Sequence, residues 1–469
     1  MRNLVVYIFS LMGFFAVSQN KQILYGFNDV PQSLLLNPGS KVSQKNHYGI
    51  PFLSQIHING GASGVAAYDI FKVGNDDIND RISRKIFEMK NTDFFTATQQ
   101  LELINFGWRT KGDIYYSGGI YQELDFIAYF PRDLAILAWE GNHDYVDYNF
   151  DLGEISLTGD LMTVYHFGAN KKINDKLTLG ARLKLYSSMI SFRSVNNAGT
   201  FTTRLGNDEA NNIYEHIVEN ADITMETSGY ASLGDAEGTG EVTKKILSRA
   251  LFGGNIGVGL DLGFTYQFNE NLNISASALD VGAIFHTKDV ENYQIKEDSY
   301  TLDGINLLFP PLSDSESTHP YYENLEEELE QKLDTVSAGY TQFRPVKVNA
   351  GINYGFGRFI TSGACDCLNM GGETLHLQGV GFQFYGAFRP KGPQLAGTFY
   401  YFRRLTEFLS AKATYTVDSY SFSNVGLGVS ATVGTVNFYL AADNLLAYGN
   451  LAKAKSVSLQ LGFNLIIDD

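Results

Sequence analysis

Residues 456–467 alternate between two faces. Val457, Leu459, Leu461, Phe463, Leu465 and Ile467 fall on one, while Ser456, Ser458, Gln460, Gly462 and Asn464 fall on the other, broken only by Ile466. Successive side chains of a strand point to opposite sides, so a period of two marks a strand with one apolar and one polar face. The pattern recurs in 425–434, where Val425, Leu427, Val429, Ala431 and Val433 oppose Gly426, Gly428, Ser430, Thr432 and Gly434. In 256–268, Ile256, Val258, Leu260, Leu262, Phe264, Tyr266 and Phe268 oppose Gly257, Gly259, Asp261, Gly263, Thr265 and Gln267. The Asn269-Glu270-Asn271 turn then leads into Leu272, Ile274, Ala276 and Ala278, which predicts a hairpin.

Soluble strands average about 5–6 residues, whereas a tilted bilayer-crossing strand needs about 9–11. Long apolar faces almost without charge suit lipid, and their small or polar partners suit a lumen. Further candidate strands lie at 101–109, 113–121, 163–168, 176–191, 343–357, 375–388, 395–402 and 408–417, with one or two near 47–63. The count is about 14, and a closed bacterial barrel has an even number. The expected fold class is all-β: a transmembrane antiparallel β-barrel of about 14 strands, with helical loop insertions and an N-terminal plug-like segment. The 47 glycines, 33 phenylalanines and 28 tyrosines beside only 10 prolines agree with many strands.

Residues 1–18 read as a secretory signal peptide. Arg2 supplies the positive start, 4–17 is an apolar core too short to span a bilayer, and Ala16 and Ser18 are small residues suited to cleavage before Gln19. No cysteine follows the cleavage site, so no lipid anchor is expected there. Beyond it no uncharged apolar run of about 18 residues occurs, which predicts no transmembrane helix. The expected location is the bacterial outer membrane, with outer-membrane lipid as a partner. Lys plus Arg number 35 against 51 Asp plus Glu, leaving −16, and that excludes nucleic acid as a partner because phosphates require clustered bases.

Two insertions interrupt the barrel pattern, at 202–251 and 288–334. The first predicts a helix near 208–219, with Ile213, Tyr214, Ile217 and Val218 on one side, and another at 241–251 around Val242, Ile246 and Leu247. The second carries 13 acids and 3 bases. Its 320–333 stretch opens on proline and aligns Tyr322, Leu325, Leu329 and Leu333, with Glu323, Glu326, Glu327, Glu328 and Glu330 elsewhere on the helix. A solvated helix over a loop core explains this pattern; a platform for a protein partner, faced by Tyr322, Leu325, Leu329 and Leu333, is the alternative. A short helix at 131–139 should bury Leu134, Ile136, Leu137 and Trp139, for example against the barrel interior.

No catalytic set is legible: no GxSxG elbow occurs, and the eight histidines are scattered. Gly257-x-Gly259-x-x-x-Gly263 has its third glycine one position late for a dinucleotide loop and lies within an alternating strand. His143-Asp144 with Asp147 is the densest polar cluster and reads as a hydrogen-bonded loop rather than a cation site. Cys365 and Cys367, the two cysteines, flank Asp366 in a predicted turn; in an oxidising compartment a disulfide is the default reading, over a redox or soft-metal site. No cofactor and no metal are expected.

Pro31-Gln32-Ser33-Leu34-Leu35-Leu36-Asn37-Pro38-Gly39 resembles the Asn-Pro-small motif near the mature N-terminus of FadL-type outer-membrane transporters and PorV-type secretion proteins, with Gly39 in place of the usual Ala. Tyr129-Phe130-Pro131-Arg132-Asp133-Leu134, Glu140-Gly141-Asn142 and Leu440-Ala441-Ala442-Asp443-Asn444-Leu445-Leu446, with the acidic insertion, are similar to a Bacteroidota outer-membrane β-barrel family distantly related to both. The resemblance implies an N-terminal segment that enters or caps the lumen of a 14-stranded barrel. Barrels of about eight strands fill with side chains and those of 16–18 leave a channel, so one of about fourteen must be plugged or it leaks. The expected organisation is a signal peptide at 1–18, a plug-like segment at 19–45 and the barrel at 46–469. Ile23, Leu24, Tyr25, Phe27, Leu34, Leu35 and Leu36 would anchor the plug, with Leu34, Leu35, Leu36, Asn37 and Pro38 as plug or ligand candidates. An ordinary first strand is the competing reading of the same residues.

The primary functional expectation is a non-catalytic accessory or scaffold barrel of an envelope assembly or secretion machine, with an envelope protein partner. The alternative is a FadL-like channel for a hydrophobic small molecule, and an outer-membrane hydrolase stands third. An apolar pocket inside the barrel would favour the channel; a filled lumen with apolar patches on the insertions would favour the scaffold.

Overall fold

The computed structural model describes residues 22–74, 76–208, 212–234, 238–302, 333–361 and 374–467. Its strands in chain order are β1 (Asn46–Gly49), β2 (Ile56–Ala62), β3 (Phe94–Arg109), β4 (Ile114–Tyr129), β5 (Asn149–Asp151), β6 (Leu157–Lys172) and β7 (Leu177–Ser194). There follow β8 (Ala198–Asp208), β9 (Asn212–Ser228), β10 (Asn255–Gln267), β11 (Leu272–His286), β12 (Asn292–Leu302), β13 (Asp334–Val336) and β14 (Tyr340–Phe343). The last are β15 (Lys347–Thr361), β16 (Thr374–Arg389), β17 (Gly392–Arg404), β18 (Leu409–Asp418), β19 (Asn424–Val433), β20 (Val436–Asp443) and β21 (Ser456–Ile467).

Fourteen antiparallel staves close into a barrel. Two staves are interrupted. Strands β1 and β2 both pair with β3 on one side and β21 on the other, and β14 and β15 both pair with β11. The ring then runs through β3, β4, β6, β7, β10, β11, β14/β15 and β16 to β21, where it meets β1/β2. The region near 47–63 is therefore one stave, broken at 50–55. The stave missing from the expected segments is β20, disguised because its inward face carries Tyr439 and Ala441 rather than only polar residues.

The alternation faces as expected. In β10, Gly257, Gly259 and Asp261 point inward and are buried, while Val258 and Leu262 face outward. Phe106, Trp108, Tyr116 and Phe167 cluster near the β3–β4 turn, with Phe106 stacked on Trp108 and Tyr116 on Phe167. At one end of the barrel the described turns are short, and both ends of the ring lie there, at 46 and 467; the other carries the long connections 63–93, 130–156, 195–254 and 287–339. Among the described residues no helix is long and apolar enough to cross a membrane.

The helices belong to the long connections: α1 (Ala67–Phe71), α2 (Ile78–Glu88), α3 (Arg132–Glu140), α4 (Ala231–Gly234) and α5 (Thr239–Ser248). Helix α3 does not enter the barrel interior as expected. It packs on α2 and β5, burying Ile136 and leaving Trp139 at the surface. Glu154 accepts a hydrogen bond of 2.7 Å from the Asp133 amide in its first turn. Burial raises the Glu154 pKa, and that amide opposes the rise. Helix α5 lies where the second helix of the first insertion was expected.

The helix expected at 208–219 is a correction. Strands β8 and β9 form a hairpin there, with Phe201 opposite Val218, Thr202 opposite Ile217 and Thr203 opposite His216. Ile217, Val218, Ile223, Thr224 and Thr227 are β-branched, stiff at χ1 and better suited to a pleated surface than to a helix. With β5, β12 and β13 the hairpin builds a side sheet, joined to the ring where β9 pairs with the end of β7. Residues 1–18, Cys365, Cys367, Tyr322, Leu325 and Leu329 lie outside the described residues; Leu333 is exposed just before β13.

Candidate functional site

Residues 22–40 form no strand. Their apolar side chains cannot face water, and the segment lies inside the ring in two short 3₁₀ turns, Gln22–Leu24 and Pro31–Leu35, the second opened by proline. Without a sheet partner its carbonyls need side-chain donors. Lys412 Nζ donates to Tyr25 O at 2.6 Å, Arg182 to Leu34 O at 2.6 Å, and Ser277 Oγ to Leu36 O at 2.6 Å. Asn170 Nδ2 donates to Pro38 O and Ser40 O at 2.6 and 2.8 Å. Gln32 bridges Glu102 of β3 and Asn464 of β21, both at 2.9 Å. Asp29 meets Arg404 at 2.6 Å, and Gln22 accepts from Thr398. These donors come from staves around the whole circumference.

Each candidate of the 34–38 stretch has a distinct seat. Leu34 packs with Val42 and Tyr115. Leu35 enters an apolar pocket of Tyr121, Met162, Val164, Tyr186 and Ile284. Leu36 lies against the cluster of Ile23, Leu24, Phe27 and Val30 with Tyr439 and Ala441. Asn37 Oδ1 accepts from Gly39 N at 2.8 Å and its Nδ2 donates to Phe264 O at 3.2 Å. Pro38 and Asn37 press so closely on the wall that a Cβ on Gly180 would overlap Pro38 O, and one on Gly263 would overlap Asn37 Oδ1. A Cβ on Gly39 would overlap Gly263 O, which accounts for glycine where the related motif carries alanine. Outside this same wall lies an apolar hollow of about 670 Å³, floored by Ala169, Ala181, Ala276 and Ala278 and rimmed by Leu262 and Phe264.

A layer of buried charge fills the lumen toward the long-loop end, and the sequence reading missed it. Lys184 bridges Asp261 and Asp280 at 2.9 and 2.6 Å, and Arg182 meets Asp261 at 3.3 Å. Arg344 reaches Glu123 at 2.8 Å and Asp160 at 3.1 Å. Lys347 bridges Glu123 and Asp280 at 3.4 and 2.9 Å, and Arg389 holds Asp125 at 2.7 Å. Five carboxylates thus face five cations. The available signal was a lone charge at an inward position of an alternating strand, such as Asp261 in β10. Beside this layer a polar cavity of about 40 Å³ is lined by Asn59, Thr96, Gln394, Asp418 and Tyr420 among others.

His143 and Asp144 pair at 2.8 Å on an exposed turn. Among the described residues no three His, Cys, Asp or Glu side chains are grouped to hold a metal ion. In the side sheet, the His216 Nδ1 lies 3.1 Å from both Asn142 Nδ2 and Thr203 Oγ1, and burial lowers its pKa.

Among solved structures, the chain resembles the toluene transporter TbuX of Ralstonia pickettii, at 12% identity over 93% of this chain and 94% of that one, with a TM-score of 0.41. It resembles the CymD monoaromatic hydrocarbon channel at 10% identity over 97% and 98%, with a TM-score of 0.42. It also resembles a Pseudomonas aeruginosa FadL homologue at 9% identity over 94% and 93%, with a TM-score of 0.43. No curated protein matches it. Residues 38–443 match a family defined from sequence, and the chain therefore belongs to the family of unknown function DUF5723.

Proposed function

We propose that this protein is an outer-membrane channel for hydrophobic small molecules, closed at rest by residues 22–40, with the long connections on the cell exterior. The observation that carries the reading is the seat of Leu35. In a lumen rich in amides, hydroxyls and ion pairs, Tyr121, Met162, Val164, Tyr186 and Ile284 form an apolar pocket on the wall, and the plug side chain Leu35 occupies it. An apolar solute can compete for that pocket, because such a site discriminates by burial rather than by hydrogen bonding. The plug is held by hydrogen bonds and packing, without ladder pairing, so it can be displaced while the ring stays closed. The outer hollow supports the reading, since it offers apolar solutes a place on the other side of the wall that the plug touches.

The test is binding of the fluorescent apolar probe N-phenyl-1-naphthylamine to the purified full-length protein. Wild type should bind it, and Leu35→Ala, which vacates the pocket, should bind it several-fold more tightly. Absence of binding by both proteins, with a stoichiometric protein partner retained in mild detergent, would overturn the channel in favour of an accessory barrel.

A further inference from the structure

Lys412 is buried in β18 with its ammonium 2.6 Å from Tyr25 O and 4.0 Å from the Tyr400 ring centroid, and it forms no ion pair among the described residues. A buried ammonium satisfied by one carbonyl and an aromatic face is poorly compensated. Nearby, Asp443 Oδ1 of β20 and Thr414 Oγ1 of β18 are buried, their residues 3% and 4% exposed, and neither atom has a hydrogen-bond partner among the described residues. An unpaired cation and an unpaired carboxylate oxygen thus sit in the same sector of one lumen.

The intervening stave explains both the proximity and the separation. On β19, Gly428 lies opposite Lys412, and Gly426 lies opposite Thr414. Asp443 follows Ala442, which pairs with Leu427. A Cβ on Gly426 would lie 2.5 Å from both Asp443 Oδ1 and Thr414 Oγ1, so those two atoms converge over the glycine. The remaining space belongs to the plug. Ile23 Cδ1 lies 3.0 Å from that same point, and Ile23 Cγ2 lies 2.5 Å from a Cβ built on Gly428, with Phe27 at 3.3 Å. Ile23 therefore lies over both glycines and fills the floor beside the carboxylate, while the ammonium is turned toward Tyr400 on the other neighbouring stave.

We infer that Lys412 is a two-position latch: it holds the plug through Tyr25 O at rest, and it pairs with Asp443 across the bare Gly426–Gly428 floor once Ile23 leaves. Displacing the plug removes one partner of Lys412 and at the same time clears its path to another. The ion pair offsets the lost carbonyl contact and stabilises the displaced state, so opening does not strand a buried charge. This inference rests on the reading of residues 22–40 as a displaceable plug, but its test requires no transported ligand.

The test uses full-length protein in detergent, with Cys365→Ser and Cys367→Ser and a single reporter thiol from Ser33→Cys. Ser33 is 3% exposed and its hydroxyl makes no hydrogen bond among the described residues, so maleimide labelling reports plug displacement. Asp443→Asn should slow labelling about tenfold when Lys412 is present, and should leave the rate unchanged in a Lys412→Met background. Asp443→Glu should keep most of the wild-type rate. Equal slowing in both backgrounds would reduce the effect to relief of a buried carboxylate and overturn the latch. No slowing in either, or no labelling of any variant, would overturn it too. The dye-binding result is independent of all these outcomes.

Discussion

Replacing Arg344 with leucine should damage this barrel at least as much as a charge placed on its outward apolar face. The Arg344 side chain is 1% exposed and reaches Asp160 at 3.1 Å and Glu123 at 2.8 Å, with Asp125 at 4.0 Å. After the substitution Glu123 keeps Lys347 and Asp125 keeps Arg389. Among the described residues Asp160 then keeps the neutral donors Ser191, at 2.8 Å, and Gln342, at 3.0 Å. Two charged hydrogen bonds at about 1.5–3 kcal/mol each give about 3–6 kcal/mol, and removal of one partner of a buried pair costs about 3–5 kcal/mol. Arg344→Leu should therefore cost about 3–5 kcal/mol, a two- to nearly four-decade shift in the unfolding equilibrium. The assay is urea unfolding in lipid vesicles, followed by the gel-mobility change of heat-sensitive barrels. Adding Asp160→Asn to Arg344→Leu should recover a substantial part of the loss, because the carboxylate left alone is then neutral. A loss below about 1 kcal/mol, or a double variant no better than the single, would refute the account of the charge layer.

Three further outcomes follow from other parts of the molecule. Leu262→Lys, outward and well within β10, should cost about 2–4 kcal/mol, whereas Ile467→Lys at the last residue of β21 should cost about 0–1, and equal costs would contradict the assigned depths. Gly180→Ala should loosen residues 22–40, because the new Cβ overlaps Pro38 O; thiol labelling at position 33 should accelerate, and an unchanged rate would count against the close plug–wall contact. Lowering the pH from 7 to 5 should loosen the side sheet. The folded state holds the His216 pKa below its ordinary value while the unfolded ring takes its proton near 6.5, so stability is full above about 6.5 and falls as the pH drops toward the folded pKa. Hydrogen exchange across β9, corrected for its intrinsic pH dependence, should accelerate, and His216→Gln should flatten the response.

The barrel strands were legible because each carries an apolar face that points away from the lumen. That one-sided apolar face imprints a period of two, as in β10 and β21, and overrides local propensity. The side sheet has no such period, so Ile213, Tyr214, Ile217 and Val218 could be read at helical spacing, and only the cross-strand partners in β8 settle them as β9. The Asn37-Pro38-Gly39 motif could be read, but its receiving glycines, Gly180 and Gly263, look like any other small inward residues. The charge layer was hidden by separation along the chain. Arg344 and Glu123 stand 221 positions apart, and no spacing rule couples them.

The bonds that tie Gln32 to Glu102 and Asn464 also impose a chronology. Glu102 and Asn464 belong to the two staves that flank β1/β2, so this one amide stitches across the seam where the first and last strands meet. Its partner Asn464 stands 432 positions downstream, near the end of the final strand. Contacts of that separation form late. The luminal segment 22–40 is made before the strands it touches and secured last, so a half-built ring holds it without this tie. Its seating then marks the moment at which the cylinder is whole.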